Sequence, residues 1–350
     1  MLHDRVTAAD EPDWSQLDQP LSAPCLETLD FLGRMPVPLL RGFSTGLDRA
    51  AMTAARSGHR LTTCFLMGNE WYAPFADLVS AERTTAFPRM IASPLTRDLL
   101  SLRFQRQLRE AGHRAALPDT DVHPAVTAAG LDDPTGMLSI FAVIPWVFLV
   151  DHRRLGGRPL PRCWQDLLDP IYEHQIVFGG WRSRSDPSRI DCNDFLLLNL
   201  QRCYGSDAPR AFAANAKTML HNTTAARIAG TEDERGAAIY VLPWMQADIC
   251  PRRDRTSVIW PEDGAMVMPI GFSILPQHQA RLQPLIDFVR GDELGTFLAM
   301  NRYPPTSSRH PDALPRGATL KWLGWDYIGS HDIEAETALA RQTFFASFQG

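Results

Sequence analysis

Lysine is nearly missing from this chain. Lys217 and Lys321 are the only two, so its basic charge is almost all arginine, a bias that codon usage in a GC-rich genome accounts for. Arginine is interspersed with Asp and Glu, and the formal net charge is -5. A nucleic-acid surface needs clustered cations, so nucleic acid is excluded as a partner class. Long apolar runs are also lacking. The longest, Ile140 to Val150, has the length of a buried strand and falls well short of the ~18 residues of a membrane span, so the chain is read as not membrane-inserted. The amino end is polar from Met1 past Trp14, without the apolar core of a secretory leader. The expectation is a cytoplasmic protein, with a periplasmic one as the alternative if a leader has been removed.

Reactive motifs are missing too. Cys25, Cys64, Cys163, Cys192, Cys203 and Cys250 include no C-x-x-C pair, which leaves a zinc knuckle or redox motif unsupported. Scattered thiols suit a reducing compartment better than a disulfide framework. His123, His152, His174, His221 and His278 fall into no metal spacing with Cys192. There is no G-x-S-x-G, H-E-x-x-H, P-loop or strand-borne G-x-G-x-x-G, and Gly156-Gly157 lacks phosphate-loop spacing. No catalytic residue, metal ligand or cofactor is therefore expected, although catalytic groups can converge from distant positions.

What is present is an ordinary globular composition, 45 % hydrophobic and 21 % charged, over 350 residues. Single cores stop growing near ~250–300 residues, so two lobes are expected. Leu26 to Leu32 has helical spacing, ended by Met35-Pro-Val-Pro38. Ser44 reads as a cap for a helix over Gly46 to Arg56, with Gly58 as its stop. Leu61 to Met67 and Met90 to Ala92 read as buried strands, Ser93 leads into a helix reaching about Ala111, and Met137 to Val150 is strand-like, with Pro145 marking a bend or a point where the strand changes partners. Strand and helix signals alternate from Trp164 to Leu242. Met266 to Leu275 follows as a strand, then a helix pair broken at Gly291, then a last helix over Ala335 to Phe348. This alternation implies an α/β fold with mainly parallel sheets.

The segment Val147 to Tyr172, with Pro161, Trp164, Asp166, Leu167, Asp169 and Pro170 in a P-x-x-W-x-D-L-x-D-P run, resembles the periplasmic binding protein type 2 family, especially its iron- and polyamine-type branch. Ile176 to Trp181, Asp191 to Asp194, Glu234 to Tyr240, Met268 to Phe272, Ile286 to Val289 and Tyr303 to Pro305 keep the family order. The similarity spans roughly residues 60 to 308. Phe141 to Asp151 is also similar to a strand of members lacking a signal peptide. Ferric-ion members place paired tyrosines after the A-I strand, where this chain has Leu242-Pro-Trp-Met245, so a free ferric ion is a poor fit.

The resemblance implies a two-lobed type 2 fold with a ligand cleft between lobes. It divides the chain into a flexible arm (1–25), lobe 1 (26–145), lobe 2 (146–266), and a return to lobe 1 with the C-terminal helices (267–350). The implied function is a solute-binding protein of the ABC-transporter substrate-binding type, which captures a small molecule or ion by hinge closure near Ile140–Val150 and Val267–Ile274 and delivers it to a permease. The alternatives are a cytoplasmic ligand sensor, a metallochaperone, or an enzyme on the same fold.

In open α/β sheets ligands bind outside the carboxyl ends of strands. On that rule the expected ligand contacts in lobe 1 are Asn69, Glu70, Trp71, Tyr72 and Ser93. In lobe 2 the resemblance implies Gly180 and Trp181 where the lobe faces the cleft, Asn193 and Asp194 at a helix start, and Tyr240 and Trp244 at and near the place of the family's ligand-contacting tyrosines. Capping and core-covering roles compete for these residues, Ser93, Asn193 and Asp194 above all. Trp71, Tyr72, Trp181 and Trp244 together would suit an organic or cationic ligand held on aromatic faces.

Overall fold

The computed structural model describes residues 25–66, 87–116, 121–182 and 190–349, together with Phe75, Leu78 and Val79. Strands run in chain order as β1 (Phe31–Arg34), β2 (Thr63–Leu66), β3 (Met90–Pro94), β4 (Ser139–Asp151), β5 (Ile176–Arg182), β6 (Ile190–Cys192), β7 (Ala216–Leu220), β8 (Ile239–Pro243), β9 (Thr256–Ile259), β10 (Ala265–Ile274) and β11 (Leu320–Lys321). The chain forms two compact units. The first holds the described residues of Leu17–Pro145 and Val267–Glu336. The second holds Trp146–Met266 and Thr337 onward. The chain passes from one unit to the other within β4, directly after Pro145, and returns within β10.

In the first unit the strand order is β2-β1-β3-β10-β4. β1 is parallel to β2 and β3, and β10 is antiparallel to β3. The helical spacing of Leu26 to Leu32 misleads here. Only a 3-10 turn forms over Leu26–Thr28, and Phe31–Arg34 is a strand with all four residues buried. Pairing with two neighbours decides the conformation over local periodicity. The helix expected from Gly46 starts earlier, at Leu40, and Ser44 lies inside it. Gly42 and Gly46 within that helix are packing residues. A Cβ on either would sit 2.3 and 2.1 Å from the rings of Phe297 and Phe288. The helix expected to follow Ser93 is two, Arg97–Leu100 and Leu102–Glu110, divided at Ser101.

In the second unit β5 lies between β7 and β8 and is parallel to both, while β4 runs antiparallel to β8 and β9. Trp164 anchors the turn that the sequence singles out. It is fully buried, its indole donates to the Gly264 carbonyl at 3.0 Å, and it meets Phe148 edge-on. Asp166 accepts from the Arg162 and Cys163 N–H groups, and Asp169 from Ile171 N–H, so these carboxylates cap short turns. The sequence reading grouped the last helix with the return to lobe 1, but from Thr337 on the chain belongs to the second unit. The reason is aromatic packing plus an ion pair. Phe344, with no exposed surface, lies against Phe178 and Phe212, and Arg341 pairs with Asp194.

Candidate functional site

In the second unit, parallelism brings three carboxyl ends to one edge of the sheet. β5 ends in Gly179-Gly180-Trp181. β7 runs through His221 into the helix Asn222–Ile228. β8 runs through Pro243 into the helix Trp244–Asp248. Trp146, where β4 enters this unit, stands opposite Pro243 at the same edge. The helix Asp194–Tyr204 also starts here, with the Asn193 N–H donating to the Gly179 carbonyl at 3.2 Å.

Gly179 has no room for a side chain. A Cβ would lie 2.3 Å from Asn222 Oδ1 and 2.5 Å from Asn193 Nδ2, so two carboxamides converge on its Cα. These same two atoms are buried without a hydrogen-bond partner, as are Trp146 Nε1 and Gln246 Oε1. Two donors and two acceptors are thus unpaired on residues at or just beyond these strand ends, and those of Asn193 and Asn222 meet at Gly179. A buried polar atom left unpaired costs about 1–3 kcal/mol, and native proteins rarely keep several together without a reason. Rotating a carboxamide exchanges its donor for its acceptor and leaves the need for a partner intact.

Asp194, Tyr240 and Trp244 make contacts within the fold. The Asp194 carboxylate binds Arg341 Nη1 at 3.0 and 3.3 Å and so ties down the last helix. Tyr240 has no exposed surface. Its hydroxyl accepts from Ala237 N–H, and burial pushes its pKa well above the usual tyrosine value. It points into the core because it sits mid-strand in β8. Trp244 is 9 % exposed and packs edge-on against Trp260, with ring centroids 5.2 Å apart. For Trp181 the described part is the backbone, which pairs with Asp191.

The first unit presents Arg34 at the end of β1, beside the end of β3. Arg34 is 3 % exposed. Its Nε donates to Ser93 Oγ at 2.7 Å and its Nη2 to Thr96 Oγ1 at 2.5 Å, Asp98 lies 3.5 Å away, and the guanidinium covers the Phe75 ring. Ser93 is therefore a partner of Arg34 and does not cap a helix. The cap in this region is Ser101, which accepts from Phe104 N–H. Asn69, Glu70, Trp71 and Tyr72 lie outside the described residues. The sequence reading missed Arg34, which lies between the Leu26 to Leu32 stretch read as helical and the Met35-Pro-Val-Pro38 break, along with Trp146, Asn222 and Gln246. For Asn222 a usable signal existed, since an amide directly after a strand and before a helix is the same pattern that picked out Asn193.

Comparison with known proteins follows from this architecture. Residues 86–331 match the family described as bacterial extracellular solute-binding protein. The chain belongs to that family. Solved structures of the same fold include the Trichodesmium protein IdiA (FutA) in complex with iron and citrate ligands. It is 14 % identical, with a TM-score of 0.61, over 89 % of this chain and 98 % of that one. The apo ferric ion-binding protein A of Pasteurella haemolytica is 13 % identical with a TM-score of 0.58, over 92 % and 100 % of the two chains. The Actinobacillus pleuropneumoniae periplasmic binding protein AfuA, with exogenous fructose-6-phosphate bound, is 14 % identical with a TM-score of 0.51, over 91 % and 97 %. No curated protein matches the sequence. The family and these neighbours are binding proteins, and the type 2 α/β fold expected from the sequence is the fold observed. The chain is thus a solute-binding protein of the ABC-transport type. No helix among the described residues is long and apolar enough to cross a membrane.

Proposed function

We propose that this solute-binding protein captures an uncharged, hydroxyl- or amide-bearing organic molecule, or the uncharged part of a larger one. The observation that carries this reading is the set of four unpaired buried polar atoms on Trp146, Asn193, Asn222 and Gln246 at the strand ends of the second unit. A ligand with matched donors and acceptors supplies the partners they lack, and a site built on such pairs rejects analogues missing one of them. The absence of a side chain at Gly179 lets the Asn193 and Asn222 carboxamides meet over its Cα, and Gly180 and Trp181, next in sequence, stay in the proposal as ligand contacts. In the first unit Arg34 with Ser93 and Thr96 is the polar group at the corresponding strand ends. Asn69 to Tyr72, which follow β2 in sequence, stay in the proposal.

A bare ferric ion fits less well. Pro243-Trp244 occupy the place of the family's paired tyrosines, and no group of three or more His, Cys, Asp or Glu able to hold a metal gathers among the described residues. The fructose-6-phosphate relative binds a molecule closer to this chemistry. The family's description as extracellular favours action outside the cytoplasmic membrane, with an ABC permease as partner, over the cytoplasmic expectation. β4 and β10, where the chain passes between units, would carry the hinge. The test is a thermal-shift screen of polyols, sugars and amides, followed by calorimetry on Asn193→Ala and Asn222→Ala. A hit whose affinity falls at least tenfold in each variant supports the reading. A hit that binds both variants as tightly as the parent removes these residues from the site.

A further inference from the structure

A cavity of about 550 Å³ lies wholly within the first unit, and neither Arg34 nor Ser93 lines it. That volume falls in the range of about 300–1,000 Å³ typical of small-molecule pockets. Phe141 and Phe272 face it, their rings edge-to-face at 6.0 Å, backed by Val289 and Leu298. Most of its polar lining is already engaged. Thr306 Oγ1 donates to the Ile140 carbonyl, Ser139 Oγ donates to the Ala116 carbonyl, and Ser307 Oγ accepts from Arg309 Nε. Arg309 also donates to the Arg290 carbonyl and pairs with Asp292, and Arg290 has interactions of its own.

Two carboxylates in the lining differ. Asp133 accepts from the Thr135, Met137 and Leu138 N–H groups and the Thr135 hydroxyl but has no cationic partner among the described residues, while Asp132 is exposed and has neither a hydrogen bond nor an ion pair among them. Adjacent carboxylates outside any ion pair among the described residues, beside an aromatic wall, attract a cation carried on an apolar body, while Arg309, in the same lining, is held by Asp292. We propose that this cavity is a second small-molecule site, separate from the solute site, which takes a compact aromatic amine with its ring against Phe141 and Phe272 and its ammonium toward Asp132 and Asp133.

Tryptamine is the probe, with indole and indole-3-acetate as controls, titrated calorimetrically into the full chain. Saturable one-to-one binding of tryptamine is expected, tighter than either control and weakened by salt. Ala115→Trp fills the cavity from a half-buried wall position and should weaken binding at least tenfold. Asp132→Asn, on an exposed residue, should weaken it about 2–5-fold, the range of an exposed ion pair. Asn193→Ala should leave tryptamine binding unchanged, which separates this site from the solute site. If Ala115→Trp lowers the melting temperature, Asp132→Asn carries the comparison. The proposal fails if tryptamine does not saturate by millimolar concentration, if it binds no better than indole-3-acetate, or if a folded Ala115→Trp chain binds it as the parent does.

Discussion

At the residue scale, the site rests on amides that the fold leaves unpaired. Structural and ligand roles of Asn222 give opposite signs. If it holds the fold, Asn222→Ala lowers the melting temperature of the ligand-free chain. The account predicts no loss, or a small gain, because an unpaired buried carbonyl is removed, together with a large loss of solute affinity. Gly179→Ala should act on the same group from the other side. Its methyl would displace both carboxamides and cost stability by about 1–3 kcal/mol, with affinity falling further than in either single asparagine variant. Thermal melts and calorimetry on the three chains separate these effects.

Asp30 is the contrasting case of a polar residue fully paired. It has no exposed surface and accepts from Arg281 Nε and Nη2 at 2.7 and 2.8 Å, from Arg89 at 3.1 Å and from Thr62 N–H at 2.9 Å. Burial alone would raise its carboxyl. The hydrogen bonds from Arg281 and Thr62 and the charges of Arg281 and Arg89 outweigh it and hold the pKa below the usual carboxylate value. A folded pKa below the unfolded one stabilises the chain above about pH 4, and that contribution is lost as pH falls through the lowered value. Asp30→Asn should therefore destabilise the chain by roughly 2–4 kcal/mol near neutrality and flatten the acid limb of its stability curve. Urea titrations at several pH values measure both effects.

At the scale of elements, the last helix shows how contact overrides chain order. Phe344→Ala should cost about 3–5 kcal/mol, since the ring fills a space between Phe178 and Phe212 in the second unit. Arg341→Ala should cost less, because the pair it breaks with Asp194 is partly exposed. If hydrogen exchange in Phe344→Ala rose only in the first unit, the placement of the helix would be wrong. The same elements show what was legible beforehand. β4 with its passage between units at Pro145, the Trp164 turn, β5, β10 and the helix pair broken at Gly291 were readable because apolar runs and Pro or Gly breaks are local signals. β1 was read as helix because four buried residues between two partners leave no alternation to detect. The docking of the last helix depends on residues more than a hundred positions away, which periodicity cannot report.

For the whole molecule, the scaffold was legible through the W-x-D-L-x-D-P run, whose residues cap and anchor turns that any ligand would leave unchanged. The proposed site was only partly legible. Asn193 stood out at a helix start, where the neighbouring Asp194 is turned to an ion pair, while Tyr240 within β8 and Trp244 just after it are turned to the core. Whether a side chain at a strand end faces ligand or neighbour depends on three-dimensional partners, and the unpaired atoms of Trp146, Asn222 and Gln246 emerge only once those partners are in place.

The central claim is that these atoms are paired by a captured solute, and native mass spectrometry of the chain purified under mild conditions tests it most directly. Spectra would be recorded before and after denaturation, beside those of an Asn193→Ala/Asn222→Ala chain. The account predicts a hydroxyl- or amide-bearing molecule bound one-to-one to the parent, released on unfolding, and lost from the double variant. Equal retention of the same molecule by both chains, or a stoichiometric metal ion in its place, would contradict it.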